Sequence, residues 1–141
     1  MSVNIRNLDI SINGNSIVHD VQLTIADGER VGLIGSSGSG KSMIAKAMMG
    51  ILPSMAQVSG DIDLDGTHVV GATDEVMATL RGRSVGMVFQ NPSVALNPVM
   101  TVAQQVGLPL YLHYDLTLEE RAERVKTMLS KVGLAEDALL K

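Results

Sequence analysis

The sequence GSSGSGKS, residues 35–42, fits the pattern G-x-x-x-x-G-K-[ST] at every fixed position. Before it, residues 30–34 form a short apolar run without alternation, which predicts a strand covered on both faces. After it, apolar residues recur at helical spacing until Gly50 and Pro53, which predict the end of a helix. A strand, a glycine-rich loop and a helix, in that order, are the elements such a phosphate-binding loop requires.

Each part of this loop has a chemical task in holding phosphate. The glycines let the backbone form a concave nest whose N–H groups converge on phosphate oxygens, and the positive end of the following helix adds to the attraction. Lys41 brings a charge to the β- and γ-phosphates, and Ser42 offers its hydroxyl to Mg2+. The alternative is a Gly/Ser-rich turn that merely leads into a helix.

Alternating patterns flank the loop on both sides. Residues 3–12 alternate around a slip at Asn7, and residues 21–25 alternate again, so antiparallel strands are predicted. Residues 62–70, interrupted by Asp65-Gly66, predict a hairpin. A further buried strand is predicted at residues 85–89.

The last third of the chain predicts a loop followed by a helix. Residues 91–98 contain two Asn-Pro pairs and are predicted to be loop. Thr117 and Glu120 have the spacing of a capping box, and Gly133 provides a stop signal, so a helix is predicted between them. Its predicted apolar face consists of Ala122, Val125, Met128, Leu129 and Val132.

The composition of the chain excludes several classes of function. The 141 residues carry 15 acidic and 11 basic side chains without runs, a formal net charge of -4, so no basic stripe is available and no nucleic-acid partner is expected. There is no cysteine, which excludes a disulfide framework and is compatible with a reducing compartment. Mean hydropathy is +0.23, but no apolar run approaches the ~18 residues of a membrane-spanning helix.

Beyond the loop, the sequence resembles the ATP-binding subunits of ABC transporters over essentially its whole length. VNIRNLDISI (3–12) and VQLTIADGERVGLIGSSGSGKS (21–42) look like that family's first strands leading into the Walker A loop. VSGDIDLDG (58–66) is similar to the hairpin after the P-loop helix, and VGMVFQNP (85–92) to the strand that ends in the Q-loop glutamine. LNPVMTVAQQV (96–106) further resembles the branch that energises import of peptides and of nickel.

The resemblance implies an α/β fold, namely a P-loop NTPase of the ABC nucleotide-binding type. We expect an N-terminal antiparallel β layer, an incomplete RecA-like core and the start of a helical subdomain. Residues 1–141 would form the N-terminal portion of a single ATP-binding domain. In that division, 1–90 hold the β layer and the P-loop core, and 91–141 hold the Q-loop and the start of the helical subdomain.

The resemblance also assigns a role to Gln90, which would contact Mg2+ or the attacking water on a loop that senses the membrane-spanning partner. A carboxamide suits this because it offers an oxygen to a hard cation without adding charge. The alternative is a glutamine that caps a strand end. Ser42 and Gln90 are the candidate metal ligands. The candidate residues for binding ATP are Gly35, Ser36, Ser37, Gly38, Ser39, Gly40, Lys41, Ser42, Met43 and Gln90.

In the intact family protein, the resemblance implies ATP hydrolysis that drives solute import. The expected partners are a second ATP-binding subunit, as a homo- or heterodimer, and membrane-spanning permease subunits. The expected location is cytoplasmic, peripheral on the inner face of the cell membrane.

Two departures from the family pattern have consequences. The family usually carries an aromatic residue near the end of the first strand to stack on adenine, where this sequence has Ile10-Ser11-Ile12-Asn13. The LSGGQ-type signature, the Walker B carboxylates and the switch histidine lie further downstream in the family and do not occur in residues 1–141. We therefore expect that this chain alone contains no complete catalytic site and is not catalytically competent.

Two other functions remain open from the sequence. One is a non-transport, soluble ABC protein acting on nucleic acid or ribosomes, which would carry a second cassette or basic insertions. The other is a truncated remnant that only binds nucleotide. A small-molecule kinase with the same loop would not explain VGMVFQNP at residues 85–92.

Overall fold

The computed structural model describes residues 1–91 and 95–134. They fall into two compact units, which divide between Met87 and Val88. The first unit contains a four-stranded antiparallel sheet of order β2-β1-β3-β4. Its elements along the chain are β1 Val3–Ile12, β2 Asn15–Ile25, α1 Lys41–Met48, β3 Ala56–Leu64, β4 Thr67–His68 and α2 Asp74–Leu80.

The core of the first unit lies on one face of this sheet. The alternation of β1 and the end of β3 places aliphatic side chains on that face, and five of them are fully buried: Ile5, Leu8, Ile10, Ile62 and Leu64. Helix α1 contributes Ile44 and Ala47 to the same cluster, and α2 contributes Met77. The predicted antiparallel layer and the helix after the loop are thus confirmed.

The predicted slip at Asn7 is a β-bulge. Asn7 has a φ of 47°, and the pairing of β1 shifts register there on both sides, against β2 and against β3. Opposite the bulge, a Cβ on Gly60 would lie 2.2 Å from the carbonyl oxygen of Asn7, so only glycine allows this approach. The hairpin predicted at Asp65-Gly66 is also present, with φ values of 54° and 88° at the two turn residues.

The two predicted buried strands are wrong for this structure. Residues 30–34 and 86–89 are not strands, and Ile34 and Val88 are each 97% exposed. Val85 makes only an isolated bridge to Arg81. A strand of a parallel sheet takes its hydrogen bonds and its cover from segments distant in sequence. Within residues 1–91 and 95–134, no strand pairs with either run.

The second unit contains two helices, α3 Val102–His113 and α4 Leu118–Lys131. They pack where Gly107 of α3 meets Val125 of α4, since a Cβ on the glycine would be 3.3 Å from a valine methyl. Helix α4 confirms the capping-box prediction, and the chain leaves it through Gly133 at a φ of 75°. On its predicted face Val125 and Leu129 are buried, whereas Met128 and Val132 are exposed.

Helices α2 and α3 were not predicted from the sequence. Both begin with a threonine cap, and α3 has a complete capping box formed by Thr101 and Gln104. The loop predicted at 91–98, which includes Pro92, lies partly outside the described residues. Among the helices that the structure describes, none is long and apolar enough to cross a bilayer.

Candidate nucleotide-binding site

The glycine-rich loop bends into a cradle because two of its glycines adopt left-handed conformations. Gly38 and Gly40 have φ values of 81° and 86°. A Cβ on Gly40 would lie 2.7 Å from a methyl of Val18 and 2.9 Å from the carbonyl oxygen of Ile17. The loop therefore passes directly against β2, and Gly40 is required both for its conformation and for this contact.

Helix α1 presents an uncapped N terminus at the end of this loop. Gly40 occupies the N-cap position without a side-chain hydrogen bond, and the first turn contains no acidic residue. The first N–H groups of an α-helix have no intrahelical partner and carry partial positive charge. The helix thus offers a site for an anion, and its first two residues are Lys41 and Ser42.

The ammonium group of Lys41 lies over the loop. It donates hydrogen bonds to the carbonyl oxygens of Gly35 at 2.7 Å and Ser36 at 2.5 Å, and to the Ser39 hydroxyl at 3.1 Å. All three acceptors are neutral. Phosphate oxygens are charged acceptors and form stronger hydrogen bonds with a cation, so a bound phosphate would compete well for this ammonium group.

A cleft of about 300 Å³ opens beside the loop. One side is polar and consists of the loop and the start of α1, and the other is aliphatic and comes from the β1–β2 hairpin. The lining residues are Ile12, Ile17, Gly38, Ser39, Gly40, Lys41, Ser42 and Met43. This division suits a ligand with a charged end and an apolar end.

These residues fit a magnesium nucleotide. The uncapped helix and Lys41 suit the phosphates, and the exposed Ser42 hydroxyl is an oxygen ligand of the kind Mg2+ prefers. In the described residues no group of three or more His, Asp or Glu side chains could hold a metal ion. In this cleft the Ser42 hydroxyl is the candidate protein ligand for the cation, and Gln90 stays a predicted one.

The structure brings most of the predicted residues together. Residues 38–43 line the cleft, and the carbonyl oxygens of Gly35 and Ser36 accept hydrogen bonds from the Lys41 ammonium group. Ser37, which follows Ser36, is an exposed turn residue. Gln90 lies exposed at a bend in the second unit, and its role stays a prediction. Sequence reasoning missed Ile17, because the predicted second strand began only at residue 21.

A family model described as "ABC transporter" matches residues 18–140. The oligopeptide transport ATP-binding protein OppD of Lactococcus lactis subsp. cremoris is 41% identical over 118 residues, which cover 83% of this chain and 35% of that protein. The OppD protein of Mycobacterium tuberculosis is 38% identical over 120 residues, which cover 84% of this chain and 20% of that protein. The chain thus spans about a third or less of these curated relatives.

The fold also resembles a solved structure, the dimeric structure of a post-hydrolysis state of the ATP-binding cassette MJ0796 bound to ADP and Pi. The TM-score is 0.82 at 28% sequence identity. The match covers 97% of this chain and 60% of that one. The α/β architecture implied by the resemblance, that of an ATP-binding cassette, is therefore confirmed.

Proposed function

The chain belongs to the ABC transporter family, and on this premise we propose that it binds Mg-ATP as part of a subunit that energises peptide import. The observation that carries the proposal is the cradle at residues 35–42, where an uncapped helix start and the Lys41 ammonium group meet one cleft. In this proposal the loop and Lys41 bind the phosphates, and Ser42 is a ligand of Mg2+.

The substrate class rests on the names of the relatives, which are oligopeptide transport ATP-binding proteins. These names support peptides and do not specifically support nickel, which stays a prediction. They do not favour the non-transport alternative. In the intact protein the bound ATP is hydrolysed, and Gln90 contacts Mg2+ or the attacking water.

The proposed partners are a second ATP-binding subunit and membrane-spanning permease subunits, with the protein on the cytoplasmic face of the cell membrane. A dimer is supported by the similar cassette MJ0796, whose solved structure is dimeric. In this proposal the cleft binds the nucleotide, and the permease subunits provide the path of the solute across the membrane.

Uptake of a labelled oligopeptide by cells tests this function. Cells whose intact protein carries Lys41→Ala should lose ATP-dependent uptake of the peptide and keep uptake of a free amino acid. The matched control is Lys46→Ala, five residues further along α1, which should retain peptide uptake. Normal peptide uptake with Lys41→Ala would contradict the proposal.

A further inference from the structure

The C-terminal end of α1, opposite the phosphate cradle, is held by an arginine from another element. Arg81 directly follows α2, and its guanidinium donates from Nε to the carbonyl oxygen of Met49 at 2.9 Å and from Nη2 to that of Gly50 at 3.0 Å. The last carbonyl groups of a helix lack partners within the helix. A cation at this end also opposes the partial negative charge of the helix terminus.

The same guanidinium is fixed in turn by α2. Its Nη1 donates to Asp74, the first residue of α2, at 2.8 Å. Beside it, Met77 of α2 is 2% exposed, and a Cβ on Gly50 would lie 3.1 Å from Arg81 Nη2 and 3.2 Å from Met77 Cε. Helix α2 and the end of α1 therefore meet closely, and an added methyl group would require these two side chains to shift by a few tenths of an ångström.

The length of α1 connects this contact to the nucleotide site. The helix has eight residues, or about 12 Å at 1.5 Å per residue. A helix this short is marginal without tertiary support, so its orientation depends on what holds each end. The cradle forms its N-terminal end, and the Arg81 contacts hold its C-terminal end.

We propose that Arg81 is a positioning residue for the nucleotide site. It fixes the far end of α1 to α2, so that the cradle at the near end is preorganised for phosphate. This role rests on the proposed binding of Mg-ATP, and Arg81 acts on the ligand only through α1.

The test compares variants of the 141-residue chain. Calorimetry with Mg-ATP gives affinity, and residue-resolved amide exchange at Met43 and Ile44, which donate to Gly40 in the first turn of α1, gives the stability of the cradle end. In Arg81→Gln, the C-terminal end of α1 loses the charge-assisted hydrogen bonds from the guanidinium. This loss should lower the affinity for Mg-ATP about tenfold and should speed exchange at both amides. The matched control Arg83→Gln, two residues further and exposed, should change neither.

Two more variants keep the proposal testable. Asp74→Asn removes the negative charge of a partner that is 88% exposed and keeps an amide oxygen as acceptor, so the fold is spared, and affinity should fall about two- to threefold. Arg81→Lys keeps the charge but not the fork of donors, so it should recover affinity only in part.

Arg81→Gln would overturn the positioning role of Arg81 if it bound Mg-ATP as the wild type does and exchanged the Met43 amide at the wild-type rate. This holds even if the variant unfolds at a lower temperature. If Arg81→Gln does not fold, unchanged affinity in Asp74→Asn overturns it. A wild-type chain that binds no Mg-ATP would refute the proposed function and this role with it. Binding by the wild type with an unaffected Arg81→Gln would refute the role of Arg81 alone.

Discussion

Ile12 and Ile17 form the aliphatic side of the candidate nucleotide cleft, and no aromatic residue lines it within the described part of the chain. Stacking of a base on an aromatic ring contributes about 1 to 3 kcal/mol to binding in nucleic-acid complexes. Two isoleucines offer apolar contact area to the base but no such stacking. We therefore expect affinity to be set mainly by the phosphates, with ATP and GTP binding within about fivefold of each other. Competition of Mg-GTP against a fluorescent ATP analogue measures the ratio.

The variant Ile12→Tyr supplies the missing ring and should raise affinity for ATP by about five- to tenfold. Ile12→Leu is its control and should leave the affinity near that of the wild type. A strong preference of the wild type for ATP would mean that another residue recognises adenine.

At this scale the sequence pointed to residues 35–42 and to the stretch that contains Ile12, but it did not point to Ile17. The run at residues 35–42 is contiguous, so its chemistry is visible in the order of residues. Ile17 comes to the cleft only because β2 begins at Asn15 and passes over Gly40. That contact depends on the path of the hairpin and leaves no local pattern.

At the scale of elements, the start of α4 is closed by a reciprocal pair. The Thr117 hydroxyl accepts from the Glu120 backbone N–H at 3.2 Å, and the Glu120 carboxylate accepts from the Thr117 backbone N–H at 2.8 Å. Thr117→Ala should destabilise the helix by about 1 kcal/mol, the usual effect of losing a threonine cap. Urea unfolding followed by circular dichroism measures this change.

The same cap predicts a pH dependence. The hydrogen bond from the Thr117 backbone N–H lowers the pKa of Glu120 from its ordinary value of 4.5. A lowered folded-state pKa contributes stability above pH 4.5, and this contribution is lost as pH falls through the lowered value. In Glu120→Gln the free energy of unfolding should therefore fall less steeply as the pH is lowered than in the wild type. The matched variant Glu119→Gln should show the same fall as the wild type. Equal acid sensitivity of wild type and Glu120→Gln would contradict the assignment.

Local signals predicted α4 and failed for its neighbour. Helix α3 has the same kind of cap, but Gly107 and Pro109 argue against a helix in sequence. Packing explains Gly107, since it allows Val125 of α4 to approach. For the apolar runs at 30–34 and 85–89, the strand prediction was wrong because an apolar run becomes a strand only when distant segments pair with it.

At the scale of the whole molecule, phosphoryl transfer requires more than a cradle. It needs a carboxylate to help hold Mg2+, a group to orient water and donors for the charge on the transferring phosphoryl group. Residues 1–141 provide the cradle and Gln90, without an LSGGQ-type signature. We expect no turnover of ATP by this chain alone, even when the cradle holds the nucleotide.

A phosphate-release assay on the purified 141-residue chain measures turnover, with Lys41→Ala as the control for contaminating ATPases. The expected rate equals that of the control. Turnover well above the control would contradict this expectation and would place catalytic residues within 1–141 beyond those named above.

The most direct test of the nucleotide site is calorimetric titration of the chain with Mg-ATP, for the wild type and for Lys41→Ala. Charge-assisted hydrogen bonds contribute about 1.5 to 3 kcal/mol each, so loss of the ammonium group should weaken binding by about ten- to more than a hundredfold. Lys46→Ala controls for the loss of a positive charge from the same helix and should bind like the wild type. Equal affinities for wild type and Lys41→Ala would contradict the assignment of residues 35–42 as the phosphate cradle.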